Sequence, residues 1–79
     1  MTDIPQEIAE IGNLMNDAPL RVIRIIHNLA YAYCDHNPER FIQNWMVLYT
    51  FCWLLGYHGL VDRLEEIEQK VHDEWFNPQ

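Results

Sequence analysis

Ile4, Ile8, Ile11, Leu14 and Met15 recur at spacings of three and four, with Glu7, Glu10 and Asn13 between them, the signature of a helix with one buried stripe. Asp3 followed three residues later by Gln6, with Pro5 in the first turn, reads as a capping box that opens this helix near residue 3. Asn16-Asp17-Ala18-Pro19 stops it near residue 16, and Asp17 is the expected N-cap of a second helix spanning about 18–35. In that helix Arg21, Arg24, Asn28, Tyr31 and Asp35 form one narrow polar seam, and the remaining positions from Leu20 to Tyr33 form a broad apolar arc. Asn37-Pro38 punctuates the chain again, with Asn37 capping a helix whose first residue is proline, predicted over 38–56 and ending at Gly56. A fourth helix over about 59–75 sets Leu60, Leu64, Ile67, Val71 and Trp75 along one seam, with Asn77-Pro78 as its stop. Short turns between successive helices make each pair antiparallel neighbours. The expected fold is therefore all-α: one domain spanning 1–79, a compact antiparallel bundle of about four helices.

The third helix departs from this regular pattern. Residues 45 to 55 read Trp-Met-Val-Leu-Tyr-Thr-Phe-Cys-Trp-Leu-Leu, apolar but for Thr50. At about 100° per residue such a run points in every direction, so it needs neighbours on all sides rather than along one stripe. A chain of 79 residues is marginal for a single core and can hardly provide them. The excess implies a partner surface, in a homodimer or on another protein. Phe41, Trp45, Tyr49, Trp53 and Tyr57 form a ladder at every fourth residue, which drifts about 40° per step and so divides between core and surface. Trp45, Tyr49 and Trp53 are the expected interface anchors, since Trp and Tyr are the usual anchors of interfaces.

Twelve Asp and Glu against five Lys and Arg give a formal net charge of −7. Residues 1 to 19 hold four carboxylates and no cation, and residues 61 to 79 hold six carboxylates against Arg63 and Lys70. A field of that sign repels phosphate backbones and anionic lipid and attracts basic surfaces, so direct nucleic-acid and membrane binding are disfavoured and a basic protein partner is favoured. On the fourth helix Asp62, Glu65, Glu66 and Asp73 make the candidate partner-binding acidic face. A wet helix face that only confers solubility is the competing explanation.

Serine is absent, which removes every serine-nucleophile scheme, and three glycines with one lysine cannot build a phosphate-cradling loop. Cys34 and Cys52 fall toward opposite ends of a helical hairpin, too far apart to bridge, and two free thiols make a reducing, cytoplasmic compartment the default. Cys34, His36, Cys52 and His58 have ligand types suited to zinc, but the same hairpin separates them into two pairs that cannot share one ion. The start of the chain has neither the basic nor the continuous apolar region of a secretory leader, and the apolar run is shorter than the roughly 20 residues needed to cross a bilayer. No enzyme, cofactor or metal is expected.

In size, acidity and want of catalytic residues the chain is similar to phage-encoded inhibitors of host defence, anti-CRISPR proteins among them. That resemblance of class implies a non-enzymatic protein that occupies a basic, nucleic-acid-binding surface of its partner in a host cytoplasm. The alternative is a homodimeric helical adaptor or accessory subunit whose acidity confers solubility alone.

Overall fold

Four helices make up the computed structural model, which describes residues 3–76: α1 (Ile4–Leu14), α2 (Leu20–Cys34), α3 (Pro38–Leu54) and α4 (His58–Phe76). Asp3 Oδ1 accepts a hydrogen bond from the Gln6 backbone N–H at 3.2 Å, and Pro5 sits in the first turn of α1. Asn37 Oδ1 does the same for Arg40 N–H at 3.1 Å, with Pro38 leading α3. Both satisfy a helix-start donor that would otherwise need water, an effect of about 1 kcal/mol each.

The second helix begins differently from the expectation. Pro19, not Asp17, is the N-cap residue of α2, and no side chain bonds to the first-turn donors. Residues 15 to 18 are already committed to a turn in which Ala18 N–H reaches Met15 O at 2.9 Å, so the Asp17 carboxylate lies a half-turn too early to cap. Pro19 suits the place, because its carbonyl accepts from Val22 N–H at 2.9 Å while its own missing N–H loses nothing. The stop expected at Asn77-Pro78 lies outside the described residues.

α2 and α3 end in the same way. Asn37 N–H returns to Ala32 O and His36 N–H to Tyr33 O after α2; Tyr57 N–H returns to Cys52 O and Gly56 N–H to Trp53 O after α3. Each pair is a Schellman closure with a left-handed residue in the middle. Gly56 takes φ +85° as glycine readily does. His36 holds φ +53° despite its side chain, and its ring stacks on Trp75 at 4.6 Å, an attraction that offsets part of the backbone strain.

Each helix packs on its chain neighbours, and α4 closes the ring against α1. Ile8, Ile11 and Met15 from α1, Ile26 and Leu29 from α2, Leu48 and Cys52 from α3, and Leu64 and Ile67 from α4 meet in one core, all at 2% exposure or less. No polar or charged residue is buried among the described residues. Stability therefore rests on apolar burial, each such side chain contributing about 1.5–3 kcal/mol, and no buried polar network fixes the packing. The α2 seam Arg21, Arg24, Asn28, Tyr31 and Asp35 is exposed along its length. Leu20, by contrast, leaves the apolar arc for solvent.

Candidate functional site

α3 has only two helical neighbours, α2 and α4, so one side of it stays open. Phe41, Leu48 and Cys52 face the core. Turning about 100° per residue from there, Ile42, Trp53, Met46, Thr50, Leu54 and Val47 fall within roughly 140° of arc on the opposite side. That arc is the exposed one, with Leu54 75%, Met46 58%, Trp53 50%, Val47 45% and Ile42 37% accessible. Met46, Val47, Thr50, Phe51 and Leu54 line a shallow depression of about 330 Å³ within it. Thr50, at the middle of the strip, donates its hydroxyl to Met46 O at 2.9 Å, so its polar group is satisfied inside the helix; the exposed Glu39 and Gln43 share its phase toward the start of α3. A more polar groove of about 500 Å³ adjoins the strip between α2 and α3, lined by Asn28, Tyr31, Asp35, Arg40, Gln43 and Asn44 among others.

The three anchors named from the sequence divide. Trp45 is half-buried, donates its indole N–H to Leu64 O at 2.7 Å and stacks on Tyr49 at 4.9 Å. Tyr49 is half-buried too and donates its hydroxyl to Glu65 Oε1 at 3.0 Å. Both close the α3/α4 seam. Trp53 lies at the edge of the open strip, with its ring edge-on to Tyr49 and to His58. The outward residues Ile42, Met46, Val47 and Leu54 were not singled out from the sequence. They stand opposite Leu48 and Cys52, a phase that marks them only once the core-facing side of α3 is known.

Of the acidic face, Asp62, Glu65, Glu66 and Asp73 are all exposed. Glu65 accepts from Tyr49, and Asp73 accepts from Gln69 at 3.0 Å. Both cations of α4 turn toward α1: Lys70 Nζ meets Glu7 Oε1 at 2.8 Å and Arg63 lies 3.7 Å from Glu10. They are spent on neighbouring carboxylates and leave the outer acids of α4 uncompensated.

This places the charge asymmetrically. α1 with its cap and α4 carry nine carboxylates against Arg63 and Lys70, which is the whole net charge of −7. α2, α3 and the turns on either side of α2 carry Arg21, Arg24 and Arg40 against Asp17, Asp35 and Glu39, which is zero. The bundle has one anionic layer, α1/α4, and one neutral layer, α2/α3, with the apolar strip on the neutral one.

At one end of the bundle Trp75 is enclosed by rings, stacked with Tyr33 at 5.7 Å and His36 and edge-on to Phe41 at 5.6 Å. The Tyr33 hydroxyl donates to Glu74 Oε2 at 2.6 Å. Burial, then the bond to Glu74 and its negative charge, push the Tyr33 phenol up to about 12, so it stays protonated as the donor. Cys34 is free and exposed; Cys52 is free and buried, with its thiol raised by burial and its Sγ 3.9 Å from Met15 Sδ. Among the described residues no three His, Cys, Asp or Glu side chains are grouped to hold a metal ion, and no helix is long and apolar enough to cross a membrane.

No family model, curated protein or solved structure matches the chain.

Proposed function

We propose that this protein works by binding another protein, presenting its α1/α4 layer to a basic surface that otherwise takes nucleic acid, and so acts as an occupying inhibitor. The observation that carries this reading is the segregation of the entire −7 onto one layer. Solubility needs net charge but not one-sidedness, and charges spread over four helices would serve it equally well. A one-sided anionic field instead orients the molecule during encounter and speeds association with a cationic surface. Asp62, Glu66 and Asp73 are the residues best placed to contribute, because they are exposed and make no ion pair with the α4 cations.

The test replaces those three by Asn, Gln and Asn and captures partners from cells that naturally make the chain. The wild type should retain a protein that added duplex DNA displaces, and the variant should retain far less at low salt with its helix content unchanged. Equal capture by both would reject the reading. An adaptor whose acidity is incidental would then remain.

A further inference from the structure

We propose that the open face of α3 is a self-association seam, across which two copies of this chain pair about a two-fold axis near Thr50. The area fits. Ile42, Met46, Val47, Trp53 and Leu54 together expose the equivalent of between two and three whole side chains, or on the order of 500 Å² at about 200 Å² each. A standard interface covers about 800 Å² per partner, of which about 65% is apolar in homodimers, again roughly 500 Å². A strip of that extent matches the largest apolar patch that a monomer ordinarily leaves in water, about 300–600 Å², and patches of that size are often functional.

Charge selects the occupant. Two molecules of −7 repel through their α1/α4 layers, but the strip lies on the layer whose charges cancel. Pairing there sends the two anionic layers to the outer sides of the assembly. With bundle widths of 21 and 19 Å, they end up tens of ångströms apart, well beyond the screening length of about 8 Å at physiological salt. A second copy also supplies what the strip requires, an uncharged apolar surface that complements itself.

The sequence along α3 suits an antiparallel crossing. A two-fold axis at Thr50 brings Met46 and Leu54 of the second copy into one layer, and sets the two Val47 side chains along one flank of the seam and the two Trp53 rings along the other. Thr50, small and with its hydroxyl already bonded to Met46 O, occupies the point of closest approach without leaving a polar group unsatisfied. Antiparallel α3 helices also place opposite dipole ends together.

This inference is independent of the binding reading, because self-association needs no other protein. Sedimentation of the purified chain at micromolar to submillimolar concentration should show twice the 9.5 kDa monomer mass. Met46→Glu with Leu54→Glu should raise the dimer dissociation constant at least roughly tenfold, and Met46→Gln with Leu54→Gln repeats the test more mildly, the fold being checked by circular dichroism. In a Cys34→Ala background, Thr50→Cys should form a disulfide-linked dimer under mild oxidation far faster than Gln69→Cys on the outer side of α4. A wild type that stays monomeric throughout, folded strip variants that dimerise as before, or equal cross-linking at the two positions would each overturn the proposal.

Discussion

α1 with its cap and α4 carry a charge equal to the whole net charge of the molecule, and α2 and α3 with the turns on either side of α2 sum to zero, although the four helices enclose one apolar core. The anionic layer exposes its carboxylates along α4, with Leu14 and Phe76 as exposed apolar residues at the ends of α1 and α4, and its internal seam is closed by Lys70–Glu7 and Arg63–Glu10. The neutral layer leaves Met46, Val47, Trp53 and Leu54 in water. The difference teaches that the two sides can serve different contacts: one repels its own kind and draws cations over a distance, and the other holds only what touches it.

The sharpest way to break that comparison lies within α3 itself. Leu48 is fully buried and Leu54 is three-quarters exposed. Leu48→Ala should lower the unfolding free energy by about 2–5 kcal/mol, whereas Leu54→Ala, measured in monomer at high dilution, should change it by no more than about 0.5 kcal/mol. Urea titration of both variants decides it. Similar losses would mean that the outer strip supports the fold, and its exposure would need another explanation.

A smaller effect is expected on the anionic side. Lys70 bonds to Glu7 Oε1, and Glu7 Oε2 is buried without a partner, so Lys70→Met leaves a half-buried carboxylate with no cation. The cost should be about 1 kcal/mol, at the upper end for a partly exposed pair, and larger at low salt. Denaturation of the variant at two ionic strengths measures it. No dependence on salt would show that the α1/α4 seam is held by packing alone.

A third effect appears only at alkaline pH. Tyr33 titrates near 10.0 when unfolded and near about 12 when folded. A raised folded value means that the protonated phenol is favoured in the native state, so its contribution is complete below about pH 10 and is lost as pH rises toward about 12. Tyr33→Phe should flatten that part of the stability profile relative to the wild type. Identical profiles would show that the Tyr33–Glu74 bond contributes nothing to folding.

Most of the architecture was legible because the determinants are local. Asp3 and Asn37 cap where the spacing to Gln6 and Arg40 required, and the apolar stripes of α1 and α4 form the core as their periodicity demands. Asp17 misled because Asn16, Asp17 and Pro19 all carry helix-start chemistry, and only the turn closed by Ala18 N–H and Met15 O decides among them. The surplus apolar area of α3 was legible, but its outward residues were not. Which phase of an all-apolar helix faces water depends on where α2 and α4 pack, a tertiary fact that Trp45 reveals only through its bond to Leu64 O. The charge layers were half legible: the acidic ends of the chain were plain, but their meeting on one side follows from α4 closing against α1.

The division of labour between the layers is tested most directly by salt. Self-association and capture of the native partner are measured on the wild type from about 0.1 M to about 1 M salt, where the screening length falls from about 10 Å to about 3 Å. Opposite behaviour is expected, with the dimer persisting or tightening as the mutual repulsion of two −7 molecules is screened, and partner capture falling steeply. Loss of both together, or persistence of both, would contradict it.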